Sequence, residues 1–274
     1  MSNDLRLLQI EELNMLHVFV DICEKNSLRY FIIGGTLLGA VRNKGFIPWD
    51  DDVDVAMPRP DYNRLLSIMR EYESKEYYFC NFNTEENYSY AWARMNSKKI
   101  KVVNNMANNP KIEPVFIDII PLDGFPDNRL FRIIHKARLS FWWSVNQLCQ
   151  FDKMVDQKRQ RSWIAKSAIR IAGCFKGIGN LISYKVCLKK LNNILSKYPY
   201  DSSGKYIINF LAAYGFQEVF PRKAFEKTRK YTFEDIQLNG PIDYDTVCGI
   251  IYGDYMKLPP EDQRNKHYVE VIKD

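Results

Sequence analysis

Residues 47–57, IPWDDDVDVAM, place four aspartates within five positions and enclose them between apolar residues. Aspartate is a poor strand former, and like charges so close together repel one another. The alternation of aspartate and valine from Asp52 to Val55 nevertheless predicts a strand over 52–57, because successive side chains of a strand point to opposite faces. Two aspartates then share one face, and the two valines bury the other.

The aspartates on the shared face are candidate metal ligands. Side chains two positions apart on a strand lie about 7 Å apart, so Asp52 and Asp54 can share a divalent cation or hold two cations about 3.5–4 Å apart. Oxygen ligands without His or Cys favour Mg²⁺ or Mn²⁺. Asp50 has the same parity and can join if the strand starts early, whereas Asp51 has the opposite parity and is expected in a turn. The alternative is a solvated acidic turn.

A further acid, Asp118, lies alone inside the apolar run VFIDII at 115–120, which is typical of a buried strand. A buried aspartate needs a metal ion or a polar partner. Asp118 is therefore a third candidate ligand. The alternative is a structural acid that pairs with an arginine or caps a helix.

The segment GGT at 34–36 follows a predicted strand, RYFII at 29–33, and precedes a predicted short helix at 36–42 with Thr36 as its N-cap. Glycines let a phosphate approach the backbone, and a helix N-terminus supplies N–H groups and a positive dipole. A GG pair alone is more often merely a turn. A phosphate-binding turn that faces a carboxylate pair, however, is what phosphoryl or nucleotidyl transfer requires.

The apolar pattern divides the 274-residue chain into two parts. Residues 1–127 combine an amphipathic helix over 5–25 and a helix over 61–72 with several predicted strands, so an α+β class with a β core flanked by helices is expected. Residues 128–274 begin with a basic helical region and end in short segments that pack back on the core. The remaining predicted strands are 77–82, 90–95 and 99–103.

The net charge of +6 is unevenly distributed: residues 129–190 carry 14 Lys/Arg and two acids, or +12, which leaves −6 for the rest. Cations alternate here with Trp, Phe and Ile at helical spacing, which is typical of a helix on an anionic membrane surface. The alternative is an ordinary solvated basic face. No RNA- or DNA-binding motif accompanies the region, so nucleic acid is not an expected partner.

Several classes of protein are disfavoured. The six cysteines and three histidines are scattered without a C-x-x-C pair, which argues against a zinc site or a disulfide framework and favours the reduced thiols of a cytosol. The N-terminal residues do not resemble a signal peptide, and no stretch of about 18 apolar residues suggests a spanning helix. The expected localisation is cytoplasmic, with 129–190 as the candidate contact to the inner face of the membrane.

The stretch FIIGGTLLGAVRNKGFIPWDDDVDVAMPRPDY at 31–62 resembles the signature of the LicD/fukutin-type phosphotransferases, which belong to the nucleotidyltransferase-fold superfamily. The resemblance touches most of the chain and is weakest over 129–200. It implies a nucleotidyltransferase-like mixed β-sheet core flanked by helices, followed by a mainly helical C-terminal half. Further family-like segments are FIDIIPLDGFP at 116–126, TFEDIQLNGPIDYD at 232–245 and YGDYMKLPP at 252–260.

The resemblance also implies an activity. This is the Mg²⁺-dependent transfer of a substituted phosphate from a CDP-linked donor to a sugar hydroxyl, with release of CMP. In bacterial members the usual cargo is phosphocholine, which passes from CDP-choline to a cell-wall or surface glycan precursor that can be lipid-linked. The alternatives are another CDP-linked cargo (ethanolamine, glycerol or ribitol phosphate), transfer of NMP itself to a small molecule or RNA, or a binding module with a degenerate site.

The family's catalytic and metal-binding positions map onto acids already singled out. Its metal-binding D-x-D corresponds to Asp52 and Asp54, and its later strand carboxylate corresponds to Asp118, with Asp50 as an optional further ligand. Asp118 is the better candidate to accept the proton of the attacking hydroxyl.

The resemblance places four further residues near the phosphates. The family's GT corresponds to Gly35 and Thr36, its A-[VI]-R ends at Arg42, and its strand cation corresponds to Arg94. Arg42 or Arg94 is expected to offset charge on the leaving CMP. The alternatives are a helix C-terminal cation and a surface strand cation. Because a choline headgroup favours aromatic faces, the candidate contacts, none of them singled out, are Trp49, Tyr90, Trp92, Tyr252 and Tyr255.

Overall fold

The computed structural model describes residues 3–104, 111–151, 182–202 and 204–261, together with Arg264 and residues 270–273. The helices within these residues are α1 (Asn3–Lys25), α2 (Gly34–Asn43), α3 (Arg59–Ile68), α4 (Arg129–Cys149), α5 (Tyr184–Leu195) and α6 (Tyr244–Tyr252). The strands are β1 (Phe31–Ile32), β2 (Asp54–Pro58), β3 (Tyr77–Cys80), β4 (Ala93–Asn104), β5 (Lys111–Phe125), β6 (Tyr206–Ile208), β7 (Val219–Pro221), β8 (Thr228–Phe233), β9 (Ile236–Pro241) and β10 (Glu270–Lys273).

An eight-stranded mixed sheet forms the centre of the fold, with the order β1-β2-β5-β4-β10. Strands β2 and β5 run parallel, whereas the other pairs are antiparallel. Strand β3 pairs with β4, and β6 and β7 extend the sheet from the end of β5. Strands β8 and β9 form a separate hairpin that packs against β1. Helices flank this mixed sheet, so the predicted α+β class is confirmed.

The apolar runs form the core as predicted. Val53 and Val55 are fully buried, and so are Ile117 and Ile119 of β5. The amphipathic helix predicted over 5–25 is α1, whose apolar stripe packs against β4 and β5. Burial of this stripe and of both sheet faces supplies the main driving force for folding.

The strand predicted over 52–57 begins later, at Asp54. The preceding aspartates lie in a loop, and the Gln9 amide of α1 donates a 2.9 Å hydrogen bond to the backbone carbonyl of Asp50. The loop is therefore held by a helix, and strand parity does not govern its side chains. The short helix also differs from the prediction, because it starts at Gly34 and leaves Thr36 inside its first turn rather than at its N-cap.

Two predicted strands merge in the structure. Residues 93–95 of the first predicted strand and all of 99–103 belong to one strand, β4, whereas residues 90–92 precede it. The pairing of β4 with β5 shifts register between Asn96 and Lys101. Such an irregularity lets one strand look like two in sequence, because it interrupts the alternation of buried and exposed residues. The strand predicted over 115–120 is the centre of the longer β5.

The C-terminal half contributes both helices and strands to the structure. Helices α4 and α5 pack against each other. Arg59 of α3 forms a buried ion pair with Asp123 of β5 (2.6 Å) and donates a further hydrogen bond to the side chain of Asn192 in α5 (2.8 Å). Residues 152–181 of the basic segment lie outside the described residues. Within the described ranges, no helix is both long and apolar enough to cross a bilayer.

Candidate functional site

A cleft of about 640 Å³ lies between the start of α2, the aspartate loop and segments of the C-terminal half. Its acidic wall contains Asp50, Asp52 and Asp54, and Gly35 and Arg42 of α2 lie beside them. These five residues were all predicted from the sequence to belong to the site. The C-terminal residues that line the cleft are Ala212, Ala213, Tyr214, Glu218, Tyr252, Asp254, Tyr255, Lys257, Leu258, Pro259 and Pro260.

The three loop aspartates form a compact group. One carboxylate oxygen from each of Asp50, Asp51 and Asp52 can be chosen so that all three lie within 4.8 Å of one another. Asp51 was expected in a turn because its parity is opposite to that of Asp52 and Asp54. It does lie outside the strand, but its carboxylate joins those of Asp50 and Asp52, because strand parity does not apply to residues that precede the strand.

Asp54, the first residue of β2, lies next to this group. Burial raises its pKa well above the usual value, and the neighbouring charges of Asp52, Asp118 and Asp50 raise it further. Its backbone N–H donates a 2.9 Å hydrogen bond to Oγ1 of Thr36. A carboxyl group with a raised pKa gains from a nearby cation, because the cation removes the cost of ionising it.

The two glycines at the start of α2 make room for these carboxylates. Gly34 has a left-handed φ of +56°, and a Cβ there would lie 3.1 Å from Oδ2 of Asp54. At Gly35, the position of a Cβ is already taken by the carboxylate of Asp50. The absence of side chains thus lets the acidic loop approach the helix N-terminus, where the dipole favours negative charge.

Asp118 and Arg94 form a buried ion pair and are not among the described residues that line the cleft. Nε of Arg94 lies 2.6 Å from Oδ1 of Asp118. The guanidinium stacks between the rings of Tyr90 and Phe116, at 3.8 and 3.6 Å from their centroids. Burial opposes the charge on Arg94, but Asp118, Tyr90 and Tyr88 together more than offset this and leave its pKa above the usual value. The geometry matches the alternative of an arginine-paired acid.

Asp118 is nevertheless adjacent to the acidic wall. Asp54 and Asp118 are Cα partners on the parallel strands β2 and β5, and Arg94 is the partner of Asp118 on β4. Three neighbouring strands therefore present Asp54, Asp118 and Arg94 side by side. This register connects the cleft to the buried ion pair.

Glu12 of α1 is a buried acid within electrostatic reach of the aspartates, and it is absent from the residues predicted above. Its side chain is 1% exposed, and its Oε2 has no hydrogen-bond partner among the described residues. Burial raises its pKa well above the usual value, and Asp52, Asp51, Asp50 and Asp54 add to the effect. The available signal was an acid on the apolar stripe of α1, between Leu8 and Leu16 at helical spacing.

Glu218 is a second acid that the sequence did not reveal. It is 2% exposed and lines the cleft. Burial raises its pKa to about 7, against the hydrogen bonds that its oxygens accept from the Tyr214 amide (3.2 Å) and the Asn209 side chain (2.7 Å). No local motif marks this residue as part of the site, since the acidic wall that shares its cleft comes from a distant part of the chain.

Of the aromatic candidates, Trp49, Tyr252 and Tyr255 line the cleft together with Tyr214, which the sequence did not single out. Tyr90 and Trp92 lie outside the cleft lining and stack against each other with ring centroids 4.9 Å apart. The cations in the lining are Arg42 and Lys257. Nη1 of Arg42 donates a 3.3 Å hydrogen bond to the backbone carbonyl of Tyr255.

The donor set fits a hard divalent cation. Asp50, Asp51 and Asp52 supply clustered carboxylate oxygens, with Asp54 beside them, and these are the ligands that Mg²⁺ and Mn²⁺ prefer. The unpartnered Oε2 of Glu12 is a buried polar atom next to this cluster, and such atoms carry a free-energy cost unless something satisfies them.

Comparison with known proteins tests the resemblance to the LicD/fukutin-type family. The LicD/FKTN/FKRP nucleotidyltransferase domain matches residues 27–144. The lipopolysaccharide cholinephosphotransferase LicD of Haemophilus influenzae is 30% identical over 277 residues, which cover 97% of this chain and 96% of that protein. An uncharacterized protein of Rickettsia prowazekii is 42% identical over 57 residues, or 21% of each chain. The resemblance inferred from the motifs is thereby confirmed, and the chain belongs to the LicD family.

Proposed function

We propose that the chain is a phosphotransferase that moves phosphocholine from CDP-choline to a sugar hydroxyl of a surface glycan precursor and releases CMP. The observation that carries this proposal is the cleft itself, in which Asp50, Asp52 and Asp54 face the glycine-rich start of α2. The similarity over nearly the whole chain to a protein named as a lipopolysaccharide cholinephosphotransferase supports the choice of cargo.

In this proposal the acidic wall and the helix start hold opposite sides of the donor's pyrophosphate. Asp52 and Asp54, with Asp50 and Asp51, hold Mg²⁺ or Mn²⁺, which when bound supplies charge neutralisation on the phosphates. Gly35 and the first turn of α2 present backbone to a phosphate oxygen. Thr36 acts indirectly, because its hydroxyl accepts a hydrogen bond from the backbone amide of Asp54 and so holds β2 against α2.

Two cations of the lining can offset charge on the leaving CMP. Arg42 and Lys257 both border the cleft, and the backbone bond to Tyr255 positions the Arg42 guanidinium. Arg94, by contrast, already neutralises Asp118 across 2.6 Å. We therefore favour Arg42 over Arg94 for the contact with CMP, and assign Arg94 to holding the carboxylate of Asp118.

The proton acceptor for the sugar hydroxyl remains Asp118 in the proposal. Its side chain is partly exposed, at 13%, and its Cα partner is Asp54. The Arg94 contact fixes the position of this carboxylate, with Nε 2.6 Å from Oδ1, as a positioned proton acceptor requires. If Asp118 is structural instead, Asp118→Asn should lower the free energy of unfolding without a specific loss of turnover in the fraction that folds.

The first experiment measures CMP release from CDP-choline with and without Mg²⁺ in the presence of a glycan acceptor. We expect Mg²⁺-dependent CMP release and a phosphocholine-modified glycan. Asp54→Asn should abolish release, whereas Asp21→Asn, at an exposed position of α1, serves as the matched control. Near-normal release by Asp54→Asn would contradict the metal assignment.

Product analysis separates this proposal from its alternatives. Pyrophosphate together with a nucleotidylated product would identify transfer of NMP instead. Turnover with CDP-ethanolamine, CDP-glycerol or CDP-ribitol in place of CDP-choline would reassign the cargo. Failure of all CDP donors to turn over with Mg²⁺ would favour a binding module.

A lipid-linked glycan acceptor lies at a membrane surface. We propose that α4 contacts this membrane surface. The exposed apolar side chains of α4 are Leu130, Phe131, Ile133, Ile134 and Phe141. The same helix carries four Arg or Lys residues and no acid, which complements an anionic bilayer surface.

Vesicle flotation tests the membrane contact. The chain should float with anionic vesicles more than with neutral ones, and a double change, Phe131→Asp with Ile134→Asp, should remove the difference. Ile10→Glu, at an exposed apolar position of α1, is the control. Equal flotation of the unmodified chain with both vesicle types would contradict the proposal.

A further inference from the structure

We infer that Tyr214, Tyr252 and Glu218 form a subsite for a quaternary ammonium group and that this subsite selects the alkyl-ammonium end of the donor. The inference rests on the proposed function, because it gives that donor a headgroup site. All three residues line the same cleft as Asp50, Asp52 and Asp54. None of the three lies within residues 27–144, where the family domain matches.

The two tyrosine rings form a corner. Their centroids are 5.8 Å apart and their planes meet at 86°, so the rings stand nearly perpendicular to each other. The corner is braced, because the Gln217 side chain donates hydrogen bonds to the backbone carbonyls of Ile250 and Ile251 (2.9 and 3.0 Å) in α6. The segment carrying Tyr214 is thereby tied to the helix that ends at Tyr252.

Glu218 adds a carboxyl group to the lining that carries the two rings. Its two oxygens already accept hydrogen bonds from Asn209 and the Tyr214 amide, which hold the carboxylate in place. The subsite and the acidic wall line the same cleft, as a phosphate and an ammonium group joined by a short ethylene bridge require.

This combination favours a quaternary over a primary ammonium. A trimethylammonium group has no N–H to satisfy, and it gains from aromatic faces and from a buried carboxyl group that a nearby cation helps to ionise. A primary ammonium has three donors and loses free energy when they are removed from water without partners. The flanking residues Ala212, Ala213 and Leu258 are apolar, and both oxygens of Glu218 already accept hydrogen bonds from the protein.

The other two aromatic residues of the lining are less suited to this role. The face of Trp49 is covered by the guanidinium of Arg264, 4.7 Å from its ring centroid. The hydroxyl of Tyr255 donates a 2.5 Å hydrogen bond to Oδ1 of Asp245, which lies outside the cleft lining. Tyr252 and Tyr214 are therefore the residues to change.

The experiment measures binding of four probes to the full chain by titration calorimetry. Choline and ethanolamine test the subsite directly, and CDP-choline and CDP-ethanolamine test it as part of the donor. We expect choline to bind more tightly than ethanolamine, and CDP-choline to bind about tenfold more tightly than CDP-ethanolamine. Tyr252→Leu and Glu218→Gln should each reduce that preference severalfold or more, whereas Tyr252→Phe should retain it because the ring remains.

Tyr78→Leu on β3 and Glu226→Gln at an exposed position are the matched controls, and thermal melting confirms that each variant folds. An equal loss of affinity for both CDP donors in Tyr252→Leu and Glu218→Gln would overturn the subsite, as would an unmodified chain that does not prefer choline. Choline binding that these variants abolish, in a chain that binds no CDP donor, would support the subsite and contradict the proposed function. Failure of the subsite and failure of the proposed function therefore give different binding results.

Discussion

The hydroxyl of Thr36 accepts a 2.9 Å hydrogen bond from the backbone amide of Asp54, and this bond joins the two motifs of the site. Thr36 lies in the first turn of α2, and Asp54 is the first residue of β2. The bond satisfies a backbone N–H at the point where the strand begins. It also holds the acidic wall of the cleft against the glycines of the helix start.

Replacement of Thr36 tests this link. Thr36→Val keeps the shape but removes the acceptor from a residue that is 3% exposed, so we expect the free energy of unfolding to fall by about 1–3 kcal/mol. Thr36→Ser keeps the hydroxyl and should cost about 1 kcal/mol or less. Urea denaturation measures both. If the two variants unfold at the same urea concentration, the hydrogen bond does not contribute to stability.

Gly35→Ala should separate folding from metal binding. Alanine is a better helix former than glycine, so stability should change by less than about 1 kcal/mol. The new methyl group would, however, displace the Asp50 carboxylate, and we expect the affinity for Mg²⁺ to fall roughly tenfold. Calorimetric titration with Mg²⁺ measures this. Gly249→Ala in α6 is the control, since a Cβ there meets nothing within 4 Å; equal Mg²⁺ affinities in the two variants would argue against Asp50 as a ligand.

The Arg94–Asp118 pair should be strongly interdependent. Arg94→Leu leaves the Asp118 carboxylate without its 2.6 Å partner and should destabilise the protein by about 3–5 kcal/mol. The double variant Arg94→Leu with Asp118→Leu should recover much of that loss, because no buried charge then lacks a partner. Urea denaturation of the single and double variants gives the coupling free energy. Strictly additive losses would mean that the pair does not act as a unit.

The pH dependence of stability should carry the signature of Glu218. Its pKa is about 7 in the folded protein, above the usual 4.5, so the folded state binds more protons than the unfolded state between these values. The contribution of Glu218 to the free energy of unfolding is therefore fully present below its unfolded pKa and is lost as the pH rises through its folded pKa. At about 1.4 kcal/mol per pH unit, the loss amounts to roughly 3 kcal/mol.

Urea denaturation between about pH 5 and pH 8 measures this slope. Glu218→Gln should flatten it, while the raised pKa values of Asp54 and Glu12 leave a residual slope of the same sign. Glu226→Gln, at an exposed position, should leave the slope unchanged. An identical slope in Glu218→Gln and the unmodified chain would contradict the assigned pKa.

Much of the fold was predictable because its signals are local. The stripe of α1 and the buried valines around Asp54 follow from periodicity, which depends on near neighbours in sequence. The start of β2 was not predictable in this way, since it depends on Gln9 of α1, which holds the Asp50 backbone away from strand pairing. The register shift in β4 was missed for a similar reason: it arises from pairing with β5.

The sequence by itself determined the chemistry of the site. The run of aspartates, GGT at 34–36 and the flanking apolar residues are contiguous, so they predict both the family and a phosphate-handling cleft. Tertiary structure alone decided which groups meet there. It brought Glu12 and Glu218 to the aspartates, paired Asp118 with Arg94, and set Tyr214 beside Tyr252. These contacts join residues that are distant in the chain, and burial and charge at a position depend on what packs around it.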